Sequence, residues 1–278
     1  MFARISRGWR LAKVSWGVLT SDRSLAAFPI LGGIASFFLL MAFGLPAVIA
    51  LDGDLTVVGI VLAGIAIYLS TFAAVFFNVS LAAAAAQVLD GKDATVASGV
   101  AVARQHTGAI AGWAGILASV NIILQAIRDR LGPLGAVIAG GIALIWGLIT
   151  FMVIPIIAIE GLGPVTAIKR SASIFRERWG EQITGQFTIG FIPMIIALVP
   201  AAILVGIGVA SGSVAVLIVL AALAALIVVI AAIITAALTQ IFAVALYRYA
   251  VGEGAVGAFT EQDLATAVGP KSGGRWGG

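Results

Sequence analysis

The sequence predicts an all-α polytopic membrane protein with six transmembrane helices, arranged as three hairpins that each follow an amphipathic interfacial helix. Three observations predict the class. Hydrophobic residues make up 62% of the chain and charged residues only 10%. The 66 residues between Glu181 and Arg248 include no charged side chain. Four shorter uncharged windows precede them, at Ser24–Leu51, Leu55–Leu89, Gln105–Ile127 and Leu131–Ile159.

The long uncharged run must reverse inside the membrane. As a helix rising about 1.5 Å per residue it would be roughly 100 Å long, about three times the ~30 Å thickness of the hydrocarbon core. Glycine and serine residues at Gly206–Ser213 favour a turn there. The six predicted spans lie near Leu25–Ala50, Leu55–Gln87, Thr107–Ala126, Pro133–Ile159, Gln186–Ala210 and Ser213–Tyr249.

The rest of the chain is short and basic. Residues 1–24 predict a basic amphipathic interfacial helix, and 25–249 the transmembrane domain, with further interfacial helices near 93–106 and 164–182. Residues 250–278 form a cytoplasmic tail that we expect to be disordered over Gly269–Gly278. Fourteen of the 16 Lys and Arg residues fall on one side of this topology. The positive-inside rule therefore places both termini in the cytoplasm of a prokaryotic cell, with the spans in its cytoplasmic membrane.

The three polar segments that enter the hairpins resemble one another. Apolar residues recur at helical spacing in residues 2–19 and 165–179, and more weakly in residues 96–103. An acidic residue beside a glycine follows each even-numbered span, at Asp90-Gly91, Glu160-Gly161 and Gly252-Glu253. This pattern predicts an internal threefold repeat of interfacial helix plus hairpin, with a pseudo-symmetry axis along the membrane normal. The alternative is that any basic linker beside a membrane looks amphipathic.

One segment carries a resemblance to known proteins. Residues 154–171 read I-P-I-I-A-I-E-G-L-G-P-V-T-A-I-K-R-S, and Trp179-Gly180 follows. This string resembles a signature of uncharacterised prokaryotic six-span membrane proteins, and also the membrane domain beside some glycerophosphoryl diester phosphodiesterases. The resemblance implies the six-span fold. It implies no activity and no catalytic residue, because the phosphodiesterase domain itself is absent from this sequence.

The residues give little support to catalysis. The chain has no cysteine, which excludes disulfides and thiolate metal sites. His106 is the single histidine, and a metal site needs several ligands. We found neither a Ser/His/Asp arrangement nor a glycine-rich phosphate loop. We therefore expect no enzyme activity, no catalytic residue, no bound metal and no cofactor, and no nucleic acid among the partners.

Three sets of residues are candidates for functional or structural roles. Glu160 ends the fourth span and is a candidate structural clasp for Lys169 or Arg170. Four amides within the predicted spans can hydrogen-bond between helices or line a solute path, namely Asn78, Asn121, Gln125 and Gln240. The candidates for binding lipid headgroups are Arg7, Arg10, Lys13, Lys169, Arg170, Arg176 and Arg178.

Together these features favour a non-enzymatic membrane scaffold or lipid-interacting accessory subunit. Its partners would be the lipid bilayer, anionic headgroups, and a second copy of the chain or another membrane protein. The alternative is a transporter or channel for a small solute or a lipid. Coupled transporters usually place ionisable residues near the midplane of the membrane. The predicted spans contain none there, which favours the scaffold.

Overall fold

The computed structural model describes residues 2–22, 24–51, 56–179, 191–261 and 264. All of the regular secondary structure in these residues is helical, which confirms the all-α part of the prediction. The helices are α1 (Phe2–Ser21), α2 (Ser24–Leu51), α3 (Val57–Leu89), α4 (Val96–Gln105), α5 (Thr107–Thr150), α6 (Val153–Glu160), α7 (Pro164–Trp179), α8 (Phe191–Ala210) and α9 (Val214–Val251).

Several of these helices are long and apolar enough to cross a membrane. Within the described ranges four segments meet both conditions: α2, α3, the stretch Thr107–Glu160, and α9. The described part of α8 adds a shorter apolar helix at Ile196–Ala210. These helices indicate a membrane-embedded protein.

The helix α5 is not straight, because it reverses at Gly132. Gly132 has φ 54° and ψ −133°, a backbone conformation that glycine adopts readily and other residues rarely adopt. Pro133 follows it and cannot donate a backbone hydrogen bond to the preceding turn. The rings of Trp113 and Trp146 stack with their centroids 6.0 Å apart. A straight helix would separate these two residues by about 50 Å, so the two arms of α5 lie side by side.

The long helices pack in sequential pairs around α3 and α9. Helix α2 lies along α3, and α8 along α9 across the turn at Ser211–Ser213. Helices α3 and α9 also contact each other, and α6 contacts both. The short helices α1, α4 and α7 lie against this bundle: α1 on α9, α4 on α3, and α7 on α5 and α6.

The core of the described structure lies at one end of the bundle. In α3 the residues from Val79 to Ala86 are all buried, whereas Val57, Val58, Ile60 and Val61 at its start are exposed. In α9 the residues from Ile241 to Tyr247 are buried, whereas Val214, Ile218 and Val219 are exposed. Exposed aliphatic surface of this extent is suited to lipid rather than water.

Candidate functional site: the polar end of the bundle

The polar end of the bundle is the end that holds the buried core, where α3, α6 and α9 finish. A glycine in the left-handed conformation follows each of these three helices. They are Gly91 (φ 71°) after α3, Gly161 (φ 67°) after α6 and Gly252 (φ 97°) after α9. Such a glycine accepts a conformation that other residues reach only with strain, so the chain can leave each helix sharply. Gly161 also has no room for a side chain, since an added Cβ would lie 2.7 Å from Cε1 of His106.

The acidic residues beside these glycines hold the ends of different helices together. The guanidinium of Arg248, on α9, donates to both carboxylate oxygens of Asp90, with 3.2 Å between Nη2 and Oδ2. Glu253 lies on the other side of the same guanidinium, with 3.6 Å between its Oε2 and Nε. Asp90 and Arg248 are 158 residues apart in the chain, so this contact ties the end of α3 to the end of α9. The hydrogen bonds and positive charge of Arg248 lower the pKa of the Asp90 carboxyl below its usual value.

Glu160 forms a second cluster on the neighbouring turn. Its Oε1 accepts a hydrogen bond from the Tyr247 hydroxyl and another from Nε of Arg170, at 3.4 Å. Tyr247 is the residue before Arg248, so adjacent residues of α9 contact the acidic residues at the ends of α3 and α6. Of the two basic partners considered for Glu160, the structure pairs it with Arg170. Glu160 thus connects α6, α7 and α9, which is the arrangement that a structural clasp requires.

A third polar contact ties the start of α2 to the start of α4. Asp22 accepts hydrogen bonds from the backbone N–H of Ser24, at 2.8 Å, and of Ala94, at 3.3 Å. Partial burial raises the pKa of the Asp22 carboxyl, but the hydrogen bonds from Ser24 and Ala94 outweigh this effect, and the pKa lies below its usual value. The first and second predicted repeat units are therefore joined at this end.

The short helices approach the bundle through small residues. In α4 these are Gly99 and Ala103, and in α7 they are Ala167 and Ser171; all four are buried. In each helix the pair occupies the fourth and eighth residues. Thr95 caps α4 by accepting from Ser98 N, and the hydroxyl of Ser98 accepts in return from Thr95 N. Small side chains at a helical spacing of four allow two backbones to come close together.

The buried face of α7 differs from the face that the sequence predicts. We expected Val165, Ile168, Ala172, Phe175 and Trp179 to form one apolar face lying in lipid. Phe175 is instead buried in the protein together with Ile174, whereas Val165 is 57% exposed and Ile168 and Ala172 are half-buried. The side chain of Trp179 lies outside the described residues. Helix α7 therefore has one face on the protein and an adjacent apolar flank that remains exposed.

The basic candidates of α1 and α7 lie on the outer surfaces of these helices. Lys13, Lys169 and Arg176 are exposed, while Arg170 is exposed but paired with Glu160. Arg10 is exposed too. Arg7 and Arg178 have side chains outside the described part of the structure.

The amide candidates do not share an interior. Asn121 and Gln125 are exposed, and the Gln125 amide donates to Asp129 Oδ1 at 2.9 Å. Both residues lie on the outward side of α5 in the described structure. Asn78 is half-buried in α3, and Gln240 is buried in α9 with its Nε2 unpaired among the described atoms. The four amides therefore do not line one path.

Sequence reasoning missed the role of Arg248 and Tyr247. Arg248 was counted only as a basic residue at the C-terminal end, although it pairs with two of the acidic residues found beside the recurring glycines. The available signal was the recurrence itself, because carboxylates that recur at one end of a bundle favour pairing with nearby cations.

Comparison with known proteins places the chain in a family. No curated protein and no solved structure matches it, and no link to the phosphodiesterase membrane domain was found. Residues 55–258, nearly three quarters of the chain, match a family of unknown function, DUF6159. The matched segment runs from the start of α3 to beyond α9, and it includes the Asp90–Arg248 and Glu160–Tyr247 contacts. The chain therefore belongs to this family of unknown function.

Proposed function

We propose that this protein is a non-enzymatic, six-span scaffold or accessory subunit of the prokaryotic cytoplasmic membrane that binds anionic lipid headgroups at its polar end. The six spans would be α2, α3, the two arms of α5 with α6 continuing the second, α8 and α9. The reversal at Gly132 supports this count, because it divides the stretch Thr107–Glu160 into two antiparallel arms. Both termini would then lie in the cytoplasm.

The observation that carries the lipid-binding proposal is the outer surface of α7. Lys169 follows Val165 by one helical turn, and Arg176 follows Ala172 by one turn. Each exposed cation thus lies next to an apolar residue that the protein leaves uncovered or half-covered. A helix with this arrangement places its apolar flank among acyl chains and its cations at the phosphates. The contacts of α7 with α5 and α6 fix the helix in this orientation.

Transport is the less well supported candidate. A solute path would need polar groups facing a common interior. Of the four amides that were candidates to line such a path, Asn121 and Gln125 are exposed. The clusters around Arg248 and Glu160 instead consist of groups that contact one another and tie helices together, which suits a scaffold.

Lipid selectivity tests the proposal. The full chain is reconstituted in bilayers of phosphatidylglycerol and phosphatidylcholine in equal amounts, and the lipid enriched around it is measured with spin-labelled lipids. We expect enrichment of phosphatidylglycerol that weakens with salt. The double substitution Lys169→Gln and Arg176→Gln should reduce it by about 2 kcal/mol in total, at about 1 kcal/mol for each cation. Arg170 is left unchanged because it pairs with Glu160.

The matched control removes two cations from the opposite end, by Arg128→Gln and Arg130→Gln. This pair should have the smaller effect, because the carboxylate of Asp129, between the two arginines, offsets part of their positive charge. An equal loss in both double variants would contradict a lipid-binding role specific to the polar end. Equal enrichment of both lipids by the unmodified protein would contradict the headgroup proposal altogether.

Orientation is tested separately by labelling in intact cells. The chain has no cysteine, so single-cysteine variants report one position each. Cysteines in place of Arg130 and Ser211 should react with an impermeant thiol reagent added outside, whereas those replacing Lys92 and Ser173 should react only after the cells are opened. Outside labelling at Ser173 would reverse the proposed topology.

A further inference from the structure

A groove of about 620 Å³ opens between α1, α8 and α9. Its lining is almost entirely aliphatic: Ala12 from α1, Ile196, Ala197 and Pro200 from α8, and Ile227, Ile230, Ala231, Ile234 and Leu238 from α9. Lys13 and Trp16 of α1 complete the lining. The groove is therefore apolar along its length, and among its described lining residues Lys13, on the short helix α1, is the one cation.

The groove has the dimensions of one lipid chain within one leaflet. Its α9 wall extends from Ile227 to Leu238, which at about 1.5 Å per residue is roughly 16 Å. Half of a hydrocarbon core of ~30 Å is about 15 Å. Leu238 lies towards the buried, polar end of α9 and Ile227 towards its exposed half. An acyl chain in the groove would thus run from the level of α1 towards the bilayer midplane.

The residues on α1 point to an anionic headgroup. Lys13 is exposed and forms no ion pair with any described residue. Trp16 is 45% exposed and lies on the same flank, at the level where indole rings favour the membrane interface. The opposite face of α1 is fixed to the bundle by the buried residues Leu11, Ser15 and Val18. The cation is thus held at the rim of an apolar groove.

We propose that this groove binds an anionic glycerophospholipid of the surrounding leaflet, with one acyl chain between α8 and α9 and its phosphate at Lys13. Charge complementarity favours this occupant over an apolar helix of another protein, because a transmembrane helix would leave the Lys13 ammonium without a counterion. The site rests on the proposed function, since it requires α1 to lie at a lipid headgroup layer. It adds a defined lipid position to the general headgroup attraction of α7.

Native mass spectrometry of the full chain, released from bilayers of phosphatidylglycerol and phosphatidylcholine, tests the site. We expect one retained phosphatidylglycerol. Ala231→Trp fills the groove at a buried lining position and should abolish retention, whereas Leu226→Trp, at an exposed position outside the groove, should not. Lys13→Gln should reduce the preference for phosphatidylglycerol about fivefold, which corresponds to about 1 kcal/mol for one cation. Lys13→Arg should preserve it.

Photo-crosslinking of the unmodified protein tests the same site without the tryptophan variant, whose misfolding would also abolish retention. In protein released from the bilayer with its one retained lipid, phosphatidylglycerol with a photoreactive acyl chain should label Ile227, Ile230 and Ile234, and not Leu226 or Val229. Labelling spread evenly over α9 would overturn the site, as would retention unchanged in Ala231→Trp. Retention of both lipids in equal amounts would overturn the assignment of the headgroup.

The two proposals fail in different ways. If Lys169→Gln with Arg176→Gln removes lipid selectivity while the Lys13 and Ala231 variants change nothing, the groove proposal is wrong and the headgroup proposal stands. If the Lys13 variants alone change selectivity, the groove stands and α7 is not the lipid-binding helix. A crosslink from the groove residues to another part of the chain, or to a second protein, would show a different occupant and overturn the lipid site.

Discussion

The buried and the exposed halves of α3 and α9 differ in what surrounds them, although the helix surfaces are apolar in both halves. In α9 the branched residues Val214, Ile218 and Val219 near the start are exposed, whereas the residues from Ile241 to Tyr247 are all buried. In α3 the two ends also differ in side-chain size, because the buried residues 82–86 are all alanine and the exposed start is rich in valine and isoleucine. Lipid is as apolar as a protein core, so close packing between helices depends on small side chains that let backbones approach.

This contrast predicts that the same substitution destabilises the fold much more at the buried end than at the exposed end. Phe28 is fully buried in α2, and Phe38 of the same helix is 65% exposed. We expect Phe28→Ala to lower the free energy of unfolding by about 3–5 kcal/mol, because it leaves a cavity. Phe38→Ala should have a much smaller effect, since lipid fills the space. Unfolding in mixed micelles measures both, and equal losses would contradict the assignment of the two ends.

The substitution Gly99→Ala tests the close packing of α4 on the bundle. An added Cβ would lie 2.6 Å from the Ser80 carbonyl oxygen and 2.7 Å from Cζ of Phe28. The backbone oxygen cannot rotate away, so we expect Gly99→Ala to cost about 1–3 kcal/mol in the free energy of unfolding. Gly147→Ala is the control, because nothing lies within 4 Å of its added Cβ. A neutral Gly99→Ala would show that α4 is not held where the structure places it.

The ion pair at the polar end predicts a dependence of stability on pH. The pKa of Asp90 is lowered from its ordinary 3.8. The pair therefore contributes fully above about pH 4, where the unfolded carboxyl is ionised, and its contribution falls as pH drops through the folded pKa. Asp90→Asn should lower stability at pH 7, and its difference from the unmodified protein should shrink towards pH 3. Unfolding measured at both pH values tests this.

Asp93 provides the matched control for Asp90. It is exposed, lies three residues further along the chain, and no ion pair or hydrogen bond to its side chain occurs within the described structure. Asp93→Asn should leave the pH dependence of stability unchanged. The same response to pH in both variants would mean that the contact between Asp90 and Arg248 does not stabilise the fold.

The smallest effect is expected at the exposed amides. Replacing Asn121 and Gln125 together with leucine should change the free energy of unfolding by less than about 0.5 kcal/mol for each site, because both side chains lie on the outside of α5. The double variant should also retain the lipid selectivity described above. A large loss of stability would place these amides in a helix contact, either within a larger assembly or with part of the chain that the structure does not describe.

Several local features could be predicted from residues alone. The uncharged runs predicted the apolar helices, Gly206–Ser213 predicted the turn between α8 and α9, and the acidic residues beside Gly91, Gly161 and Gly252 marked the ends of α3, α6 and α9. The sequence also limited the candidate partners of Glu160 to Lys169 and Arg170, because Pro164 predicts the start of a helix that carries both cations. These features depend on short stretches of chain, where local conformational preference is strong.

The sequence by itself determined the membrane class, the helical segments and the points where the chain turns. Only the tertiary structure decided that Arg248 meets Asp90, that Phe175 faces protein while Val165 does not, and that Asn121 lies outside. The physical reason is that periodicity reports which residues avoid water. In a membrane, apolar residues avoid water equally well against lipid or against another helix, so their partners follow from shape and from the few polar contacts.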